Sequence, residues 1–384
     1  MSGAPRPRGT AHSPALAIFL PSLAGGGAER MMLNLARGAV DAGVTVDLVV
    51  ASGDGPFRDL VPAEVELIDL ASGRILSALP GLVRYLRRRR PQALLAAMDH
   101  ANMVALWARA LARVPTQVCV SVRSTLSQEA ENAPSLGGRW MPHLARIFYP
   151  AAQAVIAVSQ GVADDLAMLI GPGRARLVVI PNPVVTPDLP RLAGEVPDHP
   201  WLGPGQPPVI LAAGRLAPQK DYPTLIRAFA ALVKGQDLRL IILGEGPERP
   251  ALEALVGDLG LAGRVDLPGF RENPFAYMAR ASLFVLSSAW EGLPGVLIQA
   301  MACGTPVVST DCPSGPREIL ADGHLGPLVP VGDVDALAEA MAQNLDHPKA
   351  PESLKTRAGD FGLAPITLRY LDVLGIGRSS RGSS

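Results

Sequence analysis

Short apolar runs alternate with amphipathic stretches along most of the 384 residues. The runs Ala93–Ala97 and Val209–Ala213 contain no polar side chain, and amphipathic stretches such as Leu79–Arg89 and Val334–Leu345 follow or precede runs of this kind. Strands that are apolar on both faces are typical of parallel sheets covered by helices on both sides. The order therefore predicts an α/β chain built on doubly wound parallel sheets.

A proline-rich segment with little periodicity, 181–208, interrupts this alternation. Because a chain of this length exceeds one ordinary hydrophobic core, we predict two domains that face each other across a cleft. The predicted boundaries are 14–183 for the N-terminal domain, 184–207 for a linker or hinge, and 208–365 for the C-terminal domain. Residues 366–384 are predicted as a C-terminal helix and a disordered tail. Ligands of such sheets bind beyond the carboxyl ends of the strands, so we expect functional residues in the loops there.

Composition excludes several classes of protein. The formal net charge is +0 and aromatic residues make up 4%, which argues against a nucleic-acid partner. No apolar run reaches the length of a membrane-spanning helix. The three cysteines are widely spaced and the six histidines show no metal-ligand spacing, so we expect no disulfide framework and no metal site. The widely spaced cysteines are consistent with a reducing compartment. We expect a cytoplasmic protein that can lie at the inner face of the cell membrane.

A glycine-rich loop, Gly25-Gly26-Gly27-Ala28-Glu29-Arg30, follows the first predicted strand. Its glycines allow a ligand to approach the backbone, and the next helix offers free N–H groups to an anion or a polar sugar. The spacing is not GxGxxG, so a dinucleotide site is not favoured. An ordinary tight turn between strand and helix is the alternative.

Two further loops follow strands of the second half. The first contains Gly214, Arg215 and Lys220, and its two cations suit a diphosphate. A solvated basic loop is the alternative. The second loop is Gly244-Glu245-Gly246-Pro247, where close contact with a sugar ring or a phosphate and a plain turn fit equally well.

The segment Ser287–Val308 carries the most information. A strand ends, a loop with Glu291-Gly292-Leu293 follows, a helix begins near Pro294, and Gly304 ends that helix. The positive end of the helix would face a bound phosphate, and Glu291 could accept hydrogen bonds from sugar hydroxyls. Gln299 lies about a turn and a half into the helix.

Taken in order, the motifs GGGAER, GRLAPQKD, GEGPE and EGLPGVLIQAMACGTPVVSTDCPSGPREIL resemble those of the retaining glycosyltransferases of family 4, which have the GT-B fold of two Rossmann-like domains. The likeness runs from about Leu16 to about Leu345 and is greatest for enzymes of bacterial surface-polysaccharide and lipid-linked oligosaccharide synthesis. It implies a metal-independent transferase without a cofactor. The donor would be a UDP-sugar, with a GDP-sugar as second choice, and the acceptor a glycan or a polyprenyl-linked sugar.

The resemblance also implies roles for particular residues. Arg215 and Lys220 would stabilise the donor diphosphate, and Glu291 would contact hydroxyls of the donor sugar, for which an N-acetylhexosamine is one candidate. The glycine loop would lie near the phosphates and the acceptor. The residues expected to bind the donor are Gly26, Gly27, Gly214, Gly244, Glu245, Gly246, Gly292, Leu293, Pro294 and Gln299.

Two positions depart from the family pattern. Gln299 stands where the family usually has a second glutamate for the ribose, so donor binding should weaken modestly. Arg123 stands where many members have a histidine after the fifth strand. Since arginine stays protonated, it would bind an acceptor phosphate or the donor diphosphate instead of acting as a base. His100, beside Asp99 after the fourth strand, is a candidate substitute, and an ordinary loop histidine is its alternative.

The run Arg87-Arg88-Arg89-Arg90 ends an apolar and basic helix. It predicts either contact with an anionic membrane or a solvated helix end, with equal weight. Two other functions stay open. One is a sugar-nucleotide epimerase of the same fold, which the motifs disfavour. The other, suggested by Arg123 and Gln299, is a noncatalytic subunit of a polysaccharide-assembly complex.

Overall fold

The computed structural model describes residues 13–133 and 136–377. Within them, the strands of the N-terminal domain form a parallel seven-stranded sheet in the order β3-β2-β1-β4-β5-β6-β7. These strands are β1 (Leu16–Leu20), β2 (Val46–Val50), β3 (Glu66–Asp69), β4 (Ala93–Ala97), β5 (Gln117–Val122), β6 (Ala154–Ala157) and β7 (Leu177–Val179). The helices between them are α1 (Gly27–Asp41), α2 (Leu79–Arg89), α3 (Asp99–Ala112), α4 (Leu126–Glu131), α5 (Leu136–Phe148) and α6 (Gln160–Ile170).

The second sheet is also parallel, with six strands among the described residues in the order β10-β9-β8-β11-β12-β13. They are β8 (Val209–Ala213), β9 (Arg239–Leu243), β10 (Val265–Gly269), β11 (Leu283–Leu286), β12 (Val307–Thr310) and β13 (Leu328–Val329). The accompanying helices are α8 (Tyr222–Leu232), α9 (Arg249–Asp258), α10 (Pro274–Met278), α11 (Gly295–Ala302), α12 (Pro316–Ile319) and α13 (Val334–Asp346). The predicted architecture of two doubly wound parallel sheets is confirmed.

The apolar character of the strands explains the layering. Strands β1 and β4 are buried along their whole length, as is β8 in the other sheet. Because both faces of such strands are apolar, helices must cover both sides. The carboxyl ends of the two sheets face each other, so the loops that follow the strands of each sheet line a shared cleft.

The segment predicted as a linker, 184–207, contains α7 (Leu189–Gly194) and a 3-10 turn at Pro200–Leu202. Two helices follow the second sheet, α14 (Pro351–Gly359) and α15 (Leu363–Val373). Helix α14 packs on α11, whereas α15 packs on α1 of the first domain. The predicted tail at 378–384 lies outside the described residues.

Candidate active site in the interdomain cleft

A cleft of about 880 Å³ lies between the domains. Its N-terminal wall comes from the loops after β1, β4 and β5 and from α5, and its C-terminal wall from the loops after β8 and β11 and from α11. The structure brings these predicted site residues together along the cleft: Gly26, Gly27, His100, Arg123, Gly214, Arg215, Lys220, Glu291, Gly292, Leu293, Pro294 and Gln299.

An ion pair stands at the centre of the C-terminal wall. Lys220 ends a 3-10 turn after β8, and its Nζ lies 2.5 Å from Glu291 Oε1. The hydroxyl of Ser288, which is fully buried, donates to the same oxygen at 2.7 Å. Both contacts fall on Oε1, so among the described residues Oε2 of Glu291 accepts no hydrogen bond. One oxygen of a fixed carboxylate is thus left for a ligand.

Hydrogen bonds to backbone carbonyls hold the two loops of this wall in place. The Ser287 hydroxyl donates to the carbonyl of Lys220 at 2.7 Å, and Ala289 N donates to Gln219 O at 2.8 Å. The side-chain amide of Gln219 donates to Trp290 O at 2.9 Å. The cation and the carboxylate are therefore positioned before a ligand arrives.

Arg215 also belongs to the C-terminal wall. Its side chain is exposed at the cleft and has neither a hydrogen bond nor an ion pair with any described residue. Lys220 and Arg215 thus present one paired and one unpaired cation on the same loop. This arrangement suits an anionic ligand group that bridges two charges.

Gly292 lies at a close contact between the two domains. A Cβ built there would stand 1.9 Å from the carbonyl oxygen of Arg123, so only glycine allows this approach. The neighbouring carbonyl of Leu293 accepts from Asn182 Nδ2 at 3.4 Å. The loop with Glu291 is therefore seated directly on the N-terminal domain.

Gln299 connects the cleft to a second cavity of about 280 Å³. Gly26, Gly27 and Arg30 also border both spaces, and the second cavity is lined on its far side by Phe270 and Arg271. Phe270 is 52% exposed and was not among the residues predicted from the sequence. Its position directly after β10 was the available signal, since every other site loop also follows a strand.

Gly244, Glu245 and Gly246, which were expected to bind the donor, are not among the residues that line the cleft. A Cβ at Gly244 would lie 1.9 Å from Gly214 O, and one at Gly246 would lie 2.2 Å from Leu216 O. The glycines thus allow two loops to pack on each other. The carboxylate of Glu245 accepts bonds from the guanidinium of Arg249, at 2.8 and 2.9 Å.

Arg123 lies on the N-terminal wall together with Arg30, and the guanidinium of Arg123 is only partly hydrogen-bonded. Nη1 lies 3.4 Å from the Ser121 hydroxyl, whereas the buried Nη2 has no hydrogen-bond partner among the described residues. Burial lowers the pKa of Arg123, yet a guanidinium stays protonated at neutral pH. A buried cation of this kind favours an incoming anion.

Asp99 and His100 begin α3, directly after Met98, whose φ of 78° lies in the left-handed region. Burial, together with the nearby carboxylate of Glu129, raises the pKa of Asp99 to about 7. Its Oδ1 lies 3.4 Å from the Tyr149 hydroxyl, which donates to it. His100 is exposed at the cleft. Asp99 therefore changes charge near neutral pH at this wall.

In the run Arg87–Arg90, for which membrane contact and a solvated helix end were expected equally, two arginines form internal contacts while Arg88 and Arg90 are exposed. Arg89 binds Asp47 at 3.0 Å and also pairs with Glu66, and Arg87 donates to the carbonyl of Leu111 at 2.9 Å. The run precedes β4, so it lies at the amino edge of the sheet, opposite the cleft.

A carboxylate joins the domains beside the cleft. Glu318 accepts from the backbone N–H groups of Gln160 and Gly161, at 2.9 and 3.0 Å, at the N-terminus of α6. The hydroxyls of Ser159 and Ser314 lie 3.0 Å apart in the same contact. A negative charge at a helix N-terminus is stabilising, so this contact helps to hold the two domains together.

Within 13–133 and 136–377, no three His, Cys, Asp or Glu side chains are grouped to hold a metal ion. In the same part of the chain, no helix is both long and apolar enough to cross a bilayer.

Both halves of the chain match known protein families. Residues 25–187 match the family described as Glycosyltransferase Family 4, and residues 199–360 match Glycosyl transferases group 1. The lipopolysaccharide core biosynthesis glycosyltransferase LpsE of Rhizobium meliloti is 30% identical over 369 residues, 91% of this chain and 96% of that protein.

A second relative comes from Campylobacter jejuni and is named N-acetylgalactosamine-N,N'-diacetylbacillosaminyl-diphospho-undecaprenol 4-alpha-N-acetylgalactosaminyltransferase. It is 32% identical over 283 residues, 71% of this chain and 74% of that protein.

Solved structures share the fold. HepE from Anabaena, in complex with UDP and glucose, superposes with a TM-score of 0.77 at 23% identity, covering 94% of this chain and 99% of that one. Sucrose-phosphate synthase from Thermosynechococcus elongatus gives a TM-score of 0.75 at 21% identity, covering 93% and 97%. With this fold, these matches and a cleft built from all but one of the predicted loops, the chain belongs to the family 4 glycosyltransferases of GT-B fold.

Proposed function

We propose that this glycosyltransferase is retaining and metal-independent, and that it moves a sugar from a UDP-sugar to a lipid-linked or glycan acceptor in polysaccharide or oligosaccharide synthesis. The first candidate for the sugar is an N-acetylhexosamine, and no cofactor is needed besides the donor. The observation that carries the proposal is the fixed Lys220–Glu291 pair beside the unpaired Arg215 in the cleft.

The donor fits the C-terminal wall. Arg215 and Lys220 would hold the diphosphate, and the free oxygen of Glu291 would accept bonds from sugar hydroxyls. The second cavity extends the site past Gln299, and the exposed ring of Phe270 there offers a stacking surface for the base. The complex of Anabaena HepE with UDP and glucose supports a donor of this class.

Transfer with retention needs no protein base here. The acceptor hydroxyl would attack the anomeric carbon on the face that the diphosphate leaves, as the bond from that carbon to the phosphate oxygen breaks. The departing phosphate oxygen would take the hydroxyl proton. Arg215 and Lys220 would stabilise the charge that develops on the leaving group.

The acceptor class is supported by the two relatives. The name of the Campylobacter jejuni protein specifies an α-linked N-acetylgalactosamine added to a sugar on undecaprenyl diphosphate, and LpsE acts in lipopolysaccharide core synthesis. An α-linked product from an α-linked donor is the outcome of a retaining reaction.

UDP release from a panel of UDP-sugars, with and without a lipid extract and with EDTA present, tests the proposal. We expect UDP release with one of the sugars only, and only when the extract is present. EDTA should leave the rate of this release unchanged. The product should have the same anomeric configuration as the donor, as determined by NMR. Inverted product would exclude retention, and loss of turnover in EDTA would exclude metal independence. Saturable UDP binding without release for any sugar would instead favour the noncatalytic subunit.

A further inference from the structure

The outward side of α5 carries three large apolar side chains. Leu136 is 74% exposed, Trp140 60% and Ile147 64%. Their spacings of four and seven residues place them on one side of the helix. The opposite side of α5 packs into the domain through Met141 and Ala145. The helix therefore presents an apolar stripe that no described residue covers.

Basic residues share this stripe. Arg139, His143 and Arg146 lie at the positions between the three apolar residues, and all three are exposed. The His143 ring lies 5.2 Å from the ring of Trp140, measured between centroids. Arg139 donates to the carbonyl of Ala133 at 3.4 Å, and neither arginine forms an ion pair with a described residue.

No acidic residue occurs in α5, and the carboxylates of the neighbouring helix α4, Glu129 and Glu131, form no ion pair with its arginines. We call Leu136, Arg139, Trp140, His143, Arg146 and Ile147 the α5 face. It combines apolar, aromatic and positively charged groups on one helix, the composition that suits an interface between lipid headgroups and acyl chains.

Helix α5 borders the cleft. Its residues Gly138 and Met141 line the cleft, whereas the α5 face lies on the outer side of the same helix. The four-arginine run at the end of α2 lies instead at the opposite edge of the same sheet, away from the cleft. A surface that brings the cleft to its substrate is therefore expected on α5 rather than on α2.

We propose that the α5 face binds the surface of a bilayer that contains anionic lipid and so holds the mouth of the cleft at the membrane. Trp140, Leu136 and Ile147 enter the headgroup region, while Arg139 and Arg146 contact lipid phosphates. The inference rests on the proposed function in one respect, since it gives the lipid-linked acceptor a place from which its sugar reaches the cleft.

Sedimentation with vesicles of phosphatidylcholine, with and without phosphatidylglycerol, tests the α5 face. The variant Trp140→Ser/Ile147→Ser should bind at least about tenfold more weakly to both kinds of vesicle. The variant Arg139→Gln/Arg146→Gln should lose about 30-fold on phosphatidylglycerol vesicles and little on pure phosphatidylcholine.

Two control variants match these changes. Met168→Ser/Val196→Ser removes apolar side chains that are 78% and 86% exposed elsewhere, and Arg88→Gln/Arg90→Gln removes exposed charges at the end of α2. Both should bind vesicles as the unaltered protein does. Undiminished binding of Trp140→Ser/Ile147→Ser, or equal loss in the controls, would overturn the proposal.

Two further measurements separate the possible failures. The rate of UDP release with a water-soluble acceptor should be the same in all four variants. The rate of sugar transfer to an acceptor in vesicles should fall only in the two α5 variants. If no donor is turned over at all, the proposed function fails while vesicle binding still tests the face. In a further outcome, the unaltered protein fails to bind vesicles and instead has a molar mass that falls with dilution. If Trp140→Ser/Ile147→Ser lacks this dependence, the α5 face is a contact between two copies, and the membrane assignment is overturned.

Discussion

On the C-terminal wall of the cleft, Lys220, Glu291 and Ser288 satisfy one another, whereas on the N-terminal wall Arg123 has a buried guanidinium nitrogen without a partner among the described residues. The loops that carry the first group are also held together by hydrogen bonds to backbone carbonyls. Asp99, on the second wall, has a pKa near neutrality. The C-terminal wall is thus preorganised for its ligand. The N-terminal wall has a polar group that gains a hydrogen-bond partner only when a ligand binds.

The largest effect is expected from Lys220→Met. The change removes a cation from the donor side and leaves the buried carboxylate of Glu291 without its partner. A charge-assisted contact contributes about 1.5–3 kcal/mol, so the Kd for UDP should rise by about 10- to 150-fold, measured by calorimetric titration. The exposed Lys234→Met is the matched control. Unchanged UDP affinity in Lys220→Met would remove Lys220 from the donor site.

Arg123→Leu should separate the two walls. The change removes a cation that burial disfavours but that the Tyr370 hydroxyl and the carboxylate of Glu29 partly compensate, so the melting temperature should change little. kcat/KM should nevertheless fall about tenfold or more, since the guanidinium can no longer contact an anionic group of the substrate. Arg123→Lys, which keeps the charge, should recover part of this activity. A loss of stability in Arg123→Leu with full activity would make the residue purely structural.

Asp99→Asn tests the pH dependence of the N-terminal wall. The pKa of Asp99 is raised from 3.8 to about 7, so the folded protein holds a proton that the unfolded chain releases. The free energy of unfolding should therefore fall as the pH rises from about 4 to about 7 and be level above that. The variant should lack this slope in denaturant titrations at several pH values.

The same change sharpens the assignment of the acceptor side. If the carboxylate contacts an acceptor hydroxyl, kcat/KM of the unaltered enzyme should rise through pH 7, and this limb should be absent from Asp99→Asn. An identical pH–rate profile in both proteins would show that Asp99 does not touch the substrate.

The smallest effect is expected from Glu245→Ala. Its carboxylate is exposed and paired with Arg249 outside the cleft, and such surface pairs contribute about 0–1 kcal/mol. UDP affinity should change by less than about twofold. An effect as large as that of Lys220→Met would mean that this loop enters the donor site after all.

The fold could be predicted closely where the pattern is local. Strands β4 and β8 and helix α2 begin and end at the predicted residues. Strand β13 was not predicted because two residues carry too little pattern, and α5 was not predicted because one proline and two glycines, which disfavour a helix, lie within it.

For the site, the sequence predicted only which loops follow a strand and therefore lie at the carboxyl edge of a sheet. That rule placed Lys220 and Glu291 in the cleft, but it also included Gly244–Gly246, whose glycines serve the packing of two loops. The four-arginine run shows the same limit. A row of like charges in the sequence does not reveal that Asp47, buried on β2, binds one of them.

Helix α15 has a consequence for how the chain is made. It packs on α1 so closely that a Cβ at Gly38 would lie 2.2 Å from the hydroxyl oxygen of Thr367, and Gln92 Nε2 donates to the Gly375 carbonyl at 2.7 Å. During synthesis the first domain therefore emerges from the ribosome without one of its own helices. It gains that helix only after the entire second domain has been translated. The N-terminal domain therefore cannot complete its folding before the C-terminal domain has been synthesised.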